Sequence, residues 1–240
     1  MDATYRIQGN SGTVTGSGFT ATLPDPTTED SALLLWFGES GATSITFPAL
    51  DPPWHQDLPG SSTVFSVWRR PDQPAGETSW SVTASISAKF IWRIEEWASL
   101  SGITNPDAVP SPTNTYFINS AGAQDNHVFS SPGQSITPDV SDFAGLAVWR
   151  AGSGTAIWPL RTYSSGWSEV DCLSFGTGAT SGDFQIMFAE AYPGVSGAID
   201  PVMTWDTSNG GTYAEGKVVD GWAACYQPAV PVPLPGVLTA

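Results

Sequence analysis

The sequence predicts an all-β protein made of two antiparallel sheets packed as a β-sandwich, with little helix. Between Glu77 and Leu100, apolar residues occupy every second position from Trp80 to Ile86, and serine or threonine fills the positions between them. Side chains of a strand point alternately to opposite faces, so this pattern is typical of a half-buried strand. Only 13% of the residues are charged while glycine and proline are frequent (25 and 20), which favours short strands joined by turns. A weaker alternation around Phe184 and Phe188 predicts a second core strand.

In the first half, glycine-rich segments separate short apolar ones. The glycines between Gln8 and Phe19 supply positive backbone angles for turns, so we expect two modest strands there. A continuous apolar run between turn signals is more typical of a fully buried central strand than of a helix. The predicted strands are Thr4–Gln8, Phe19–Leu23, Ala32–Phe37, Thr63–Arg69 and the long segment Glu77–Leu100.

The second half repeats this order loosely and without a fixed period. Its run Gly145–Arg150 parallels Leu33–Phe37 in being short, apolar and aromatic near its end. Such a loose repeat fits two stacked sheets better than a solenoid. We therefore predict one domain over residues 1–227, with further strands at Phe184–Tyr192, Val202–Trp205 and Trp222–Tyr226.

Residues 228–240 form a separate proline-rich segment, here called the C-terminal arm. A run of this kind favours polyproline II and cannot donate hydrogen bonds to a sheet, so it is expected to lie outside the sandwich. It is either a frayed tail or an arm that docks on a neighbouring protein. The candidate docking residues are Pro228, Pro231, Pro233 and Pro235.

The charge of the chain excludes several classes of partner. With 23 acidic residues against 8 Lys and Arg, the formal net charge is −15, which repels nucleic acids and anionic lipid surfaces. No stretch approaches the ~20 apolar residues of a membrane span. We expect the acidity to keep a Trp-rich chain in solution, and we expect folding in a cytoplasm.

The residues that usually hold metals are sparse and scattered. Cys172 and Cys225 are expected to be buried thiols, and their number is far from a disulfide framework or a zinc site. Asp200, Asp206 and Asp220 lie near glycine-rich turns but match no EF-hand spacing. No glycine loop with the lysine and helix of a phosphate site occurs, so no cofactor or metal is expected.

The sequence offers little for catalysis. Only His55 and His127 could serve a nucleophilic triad, and no nucleophile elbow is present. Glu96 and Glu190 lie beside aromatic residues and could form a glycosidase pair, whereas the adjacent Glu95 must face the opposite way. Solvation and pairing with arginine explain these carboxylates more simply, so we predict that the chain is not an enzyme.

Three tryptophans fall in segments that read as loops. Trp54, Trp158 and Trp167 are surrounded by proline, glycine and serine. Exposed aromatic rings stack on sugars or anchor protein interfaces, and buried ones close the open ends of a sandwich. Both interpretations remain open, and these residues are our candidate glycan or partner contacts.

Read in order, these motifs resemble a jelly-roll-like β-sandwich module of tail and other virion proteins from double-stranded DNA phages that infect actinobacteria. The resemblance covers the chain up to Pro228. The elements that carry it are Leu33–Phe37, the proline-rich loop ending in Trp54, Ser62–Arg70, Phe90–Trp97 and Gly221–Pro228.

This resemblance implies a structural virion component without catalytic residues. We expect a minor tail or tail-tip protein that assembles in the host cytoplasm, binds other virion proteins and forms homo-oligomers within the particle. The alternatives are a capsid decoration protein or a carbohydrate-binding module for host cell-wall glycans.

Overall fold

The computed structural model describes residues 6–40, 44–58, 65–98, 115–117, 128–132, 144–153, 160–175, 183–191, 201–206 and 218–226. These residues form fourteen β-strands and no helix, and every strand pair is antiparallel. The described part of the chain contains no helix long and apolar enough to cross a membrane. The predicted all-β class with packed antiparallel sheets is therefore confirmed.

The strands fall into two sets along the chain. The first six are β1 (Arg6–Thr22), β2 (Ser31–Ser40), β3 (Ile45–Thr46), β4 (His55–Leu58), β5 (Phe65–Gln73) and β6 (Ser79–Trp97). The other eight are β7 (Thr115–Phe117), β8 (Val128–Pro132), β9 (Ala144–Ser153), β10 (Leu160–Tyr163), β11 (Trp167–Phe175), β12 (Asp183–Ala191), β13 (Val202–Asp206) and β14 (Val218–Tyr226).

Each half of the chain builds its own sheet. The N-terminal sheet has the order β1-β6-β2-β5-β4, with β3 paired to β6, and the C-terminal sheet has the order β11-β12-β9-β14-β7. β12 lies between β11 and β9 as β6 lies between β1 and β2, so the two alternating segments occupy equivalent places. The predicted second core strand around Phe184 and Phe188 is confirmed. A third sheet, β10-β13-β8, contacts the C-terminal sheet through the Tyr163 and Trp149 rings, whose centroids are 5.6 Å apart.

Strand β1 corrects the prediction of two strands separated by glycine turns. The chain runs extended through all the glycines and pairs with β6 from end to end. A Cβ at Gly12 would lie 2.8 Å from the Trp92 ring, so glycine lets this ring cover the backbone of the neighbouring strand. These glycines permit close approach, which short turn motifs alone do not reveal.

The β1–β6 pair bends sharply near Gly18. The register shifts between Gly16 and Gly18, so that residues 84–87 of β6 stand against the single β1 residue Ser17. Gly18 has φ 145°, and a Cβ there would lie 2.2 Å from the carbonyl oxygen of Val82. Beyond the bend, Gly18–Thr22 and Ser79–Thr83 form a two-stranded segment, here called the ribbon, which folds back over the N-terminal sheet.

The N-terminal sheet consequently has a core on each face. The ribbon core lies under the ribbon, where Phe19 meets Phe37 and Phe90 at ring-centroid distances of 5.3 and 5.4 Å. The inter-sheet core lies against the C-terminal sheet, where the rings of Trp36 and Phe188 meet edge to face at 5.7 Å. Alternate residues of β6 serve the two cores, so the long alternating strand is buried on both faces over its second half.

Candidate functional site

A cluster of charged side chains lies between the two sheets at the edge formed by β1 and β11. Arg93 and Glu95 share the face of β6 that carries Ile91 and Trp97 into the inter-sheet core. Arg6 comes from β1, Asp171 from β11 and Glu190 from β12. We call these five residues the inter-sheet charge cluster.

Contacts within the cluster join the two halves of the chain. Arg93 donates from Nε to Glu95 at 2.6 Å and from a terminal nitrogen to Asp171 at 3.1 Å. Arg6 donates to Glu190 at 2.5 Å and lies 3.7 Å from Glu95. Ser11 donates to Asp171 at 2.6 Å. The links to Asp171 and Glu190 cross between the sheets, so the cluster fixes how one sheet sits on the other.

Burial makes these contacts strong. Glu95 is 2% exposed and also accepts a hydrogen bond from the indole nitrogen of Trp97 at 3.1 Å. Burial opposes the charge of Arg93, but Glu95, Asp171 and Glu190 outweigh it and raise the pKa of that guanidinium. Two guanidiniums face three carboxylates, so removing either cation would leave the buried negative charge less well compensated.

Glu96 lies on the other face of β6 from the inter-sheet charge cluster. The possible catalytic pair of Glu96 and Glu190 is therefore wrong, because the two carboxylates do not face a common site. Glu96 is fully buried and accepts hydrogen bonds from the Gln8 side chain at 2.6 Å and the Thr28 backbone at 2.6 Å. Glu190 instead faces Glu95 through Arg6. The alternation of β6 places Glu95 and Glu96 on opposite faces, as predicted. The carboxylate that points toward Glu190 is Glu95.

A second polar group lies at the opposite edge of the interface, near β4 and β14. Arg69 donates to Asp57 at 3.2 Å, and the Tyr226 hydroxyl donates to the same carboxylate at 3.0 Å. Burial raises the pKa of Asp57, against the charge of Arg69 and the hydrogen bond from Tyr226. Burial, reinforced by the charge of Asp57, raises the pKa of Tyr226. No local sequence pattern predicts this group, because 169 positions separate Tyr226 from Asp57.

Trp54 lies inside the ribbon core and not on the surface. Its side chain is 9% exposed, and its ring is 5.3 Å from that of Phe47, which in turn is 4.3 Å from Trp68. The indole nitrogens of Trp54 and Trp68 are buried, and neither has a hydrogen-bond partner among the described residues. This position fits the closing of one end of the sandwich.

Trp167 is also buried. It begins β11, is 6% exposed and donates its backbone N–H to Ser164 at 3.1 Å. Trp158 lies outside the described residues, as do Pro228, Pro231, Pro233 and Pro235 of the C-terminal arm. The role of all these residues as glycan or partner contacts stays a prediction.

The described residues contain no group of three or more His, Cys, Asp or Glu placed to hold a metal ion. His55 is exposed on β4, and His127 and Asp200 lie outside the described ranges. Cys172 is a free, half-buried thiol, and burial raises its pKa to about 12. It is therefore protonated at neutral pH, and the predicted full burial of Cys172 is wrong because one side of the thiol stays accessible.

Comparison with known proteins adds no assignment. No protein-family model, curated protein or solved structure matches this chain.

Proposed function

We propose that this chain is a non-enzymatic structural component of a tailed-phage virion, most directly a minor tail or tail-tip protein. The observation that carries the proposal is the inter-sheet charge cluster, in which Arg6, Arg93, Glu95, Asp171 and Glu190 contact one another across the two sheets. These groups bond to one another and hold the two halves together. A sandwich locked in this way suits a scaffold that keeps its shape while it binds neighbours in a particle.

The resemblance described above gives the proposal its virion context, and the C-terminal arm gives it a means of attachment. A proline-rich segment loses little conformational entropy when it is ordered on a partner. In this proposal the sandwich is the rigid body, and Pro228–Ala240 docks on a neighbouring virion protein.

Virion composition tests this proposal directly. Mass spectrometry of purified particles from a phage that encodes the chain should detect it in stoichiometric amounts. Deletion of residues 229–240 should abolish incorporation while leaving the circular dichroism spectrum and unfolding midpoint of the purified sandwich unchanged. Particles that retain a full complement of the truncated chain would overturn the role of the arm, and particles without the intact chain would overturn the virion role.

A capsid decoration protein is the nearest alternative, and labelling of the chain within intact particles distinguishes head from tail. Carbohydrate binding is a second candidate, favoured by the aromatic group of Phe47, Trp54 and Trp68. Phe47 and Trp68 are half-buried, so their rings offer more surface to a sugar than Trp54 does.

Retention on host cell-wall polysaccharide tests the carbohydrate alternative. Trp68→Ala should reduce retention if this group binds glycan, whereas Trp158→Ala and Trp167→Ala test the two other loop tryptophans. Unchanged retention in all of these variants and in Trp54→Ala would exclude glycan stacking at these sites. Unfolding midpoints measured in parallel separate a lost contact from a lost fold.

A further inference from the structure

The outer face of the ribbon carries a ladder of hydroxyl groups. Phe19, Ala21, Trp80 and Val82 point inward to the ribbon core, so the residues between them point outward. The outward set, here called the hydroxyl face, is Thr20, Thr22, Ser79, Ser81 and Thr83.

Cross-strand register makes this face regular. Thr20 is directly opposite Ser81, and Thr22 is directly opposite Ser79. The hydroxyls of Thr20 and Ser81 lie 3.2 Å apart. Thr20, Ser79, Ser81 and Thr83 are exposed, and Ile86, which is 46% exposed, lies just beyond them on the same strand.

The two strands that carry this face contain no charge over long stretches. Residues 7–24 and 78–88 include no Asp, Glu, Lys or Arg, although the whole chain has a formal net charge of −15. Two copies of so acidic a chain repel each other over most of their surfaces. Contact through an uncharged face incurs the least repulsion.

The chemistry of the hydroxyl group makes the face complementary to itself. Thr83 donates to the Thr46 carbonyl at 3.3 Å, and Thr22 accepts from the Asn10 side chain at 3.3 Å. Thr20, Ser79 and Ser81 are exposed, and each hydroxyl oxygen can accept a further hydrogen bond, so an identical ladder turned by a two-fold rotation is complementary to them. A face of carboxylates or of ammonium groups lacks this property, since its copy presents the same charge. This self-complementarity favours a second copy of the chain over a charged partner.

We propose that the hydroxyl face is the surface through which two copies of this chain associate, ribbon against ribbon, about a two-fold axis. The interface is small and polar, so the association is weak in solution and gains strength when many copies are held together in an assembly. This inference concerns the purified chain and does not depend on the proposed virion role.

Sedimentation velocity over a concentration series tests the proposal with two matched charge variants. The acidic variant is Thr20→Glu with Ser81→Glu, and the basic variant is Thr20→Lys with Ser81→Lys. In a dimer of either variant, the new charges of one copy face the same charges of the other copy. Each variant should therefore raise the dimer dissociation constant about tenfold or more. An equimolar mixture of the two variants should restore association, because opposite charges then meet.

The control variant carries the same number of new carboxylates elsewhere, as Thr162→Glu with Ser165→Glu, both at exposed positions. It should associate nearly as the unmodified chain does, with a small weakening that salt removes. Raised ionic strength should strengthen association of the unmodified chain by screening its net charge. Absence of any dimer at millimolar concentration, equal weakening by the control, or a mixture that fails to restore association would each overturn the proposal.

Discussion

The two faces of the N-terminal sheet are buried by different means. Among the described residues, the ribbon core is built from aromatic and aliphatic side chains of the first half of the chain, including Phe19, Phe37 and Trp92. The inter-sheet core joins both halves, and its apolar centre is bordered by polar groups at both edges. Apolar packing tolerates small shifts of one layer on another, whereas charged hydrogen bonds do not. Apolar contact therefore supplies most of the stability of the fold, and the charged groups set the alignment of one sheet on the other.

Removing the central cation of the inter-sheet charge cluster should destabilise the fold as strongly as removing a buried tryptophan. Arg93→Met leaves the buried Glu95 and the half-buried Asp171 without their shared partner, so we expect a loss of about 3–5 kcal/mol in the free energy of unfolding. Urea titration measures this loss. The matched control is Arg161→Met at the more exposed Arg161–Glu169 pair, where about 1 kcal/mol or less is expected. Equal losses would contradict the special role of the cluster.

The ribbon core is probed by adding one methyl group to β1. Gly12→Ala places a Cβ 2.8 Å from the Trp92 ring and should destabilise the fold by about 1–3 kcal/mol through overpacking. Gly16→Ala is the control on the same strand, because its Cβ would meet nothing closer than 3.5 Å. Thermal or urea unfolding of both variants should show the difference, and a Gly12→Ala variant as stable as Gly16→Ala would refute the close approach.

Trp54→Ala should destabilise the ribbon core by about 3–5 kcal/mol, since it removes a side chain that is 9% exposed. Trp54→Phe retains the apolar contact with Phe47 and removes the unpartnered indole N–H, so it should cost less. Denaturant unfolding of the two variants measures both effects. If the Trp54→Ala variant were as stable as the unmodified chain, Trp54 would not be part of this core.

The effect of Glu39 should appear as a pH dependence of stability. Burial, against the opposing charge of Arg150, raises the pKa of Glu39 from 4.5 to about 7. Between about pH 4.5 and pH 7, Glu39 therefore stays protonated in the folded state, whereas it has lost its proton in the unfolded chain. Its stability contribution is complete below about pH 4.5 and is lost as the pH rises through 7, by on the order of 1–3 kcal/mol. Glu39→Gln should flatten this part of the stability profile, and an unchanged profile would contradict the assignment.

Alternation along single strands explains why much of the fold could be predicted from sequence. The predicted alternation holds at Trp80 and Val82, whose neighbours Ser79, Ser81 and Thr83 are exposed, but it fails at Ile86, which is 46% exposed. The second half of β6 and residues 184–191 are buried on both faces, because a layer covers each side of them. The prediction of turns at the β1 glycines was wrong because local turn preferences do not show that Trp92, 80 positions further along the chain, covers Gly12. Glycine at this position permits close packing of the Trp92 ring and does not form a turn.

The candidate site was less predictable for the same physical reason. Alternation separates Glu95 from Glu96, but the register between the two sheets decides which of them meets Glu190. Arg6 and Glu190 are 184 positions apart, and no local pattern connects them. Burial of Trp54 and Trp167 likewise depends on what the rest of the chain places over them.

A double-mutant cycle between Arg93 and Asp171 tests the alignment role of the charge cluster most directly. These residues come from different halves of the chain and meet at 3.1 Å across the sheets. Urea unfolding of the unmodified chain, Arg93→Met, Asp171→Asn and the double variant gives their coupling free energy. We expect about 1 kcal/mol or more of favourable coupling, and a value within about 0.3 kcal/mol of zero would contradict a direct charged link between the two sheets.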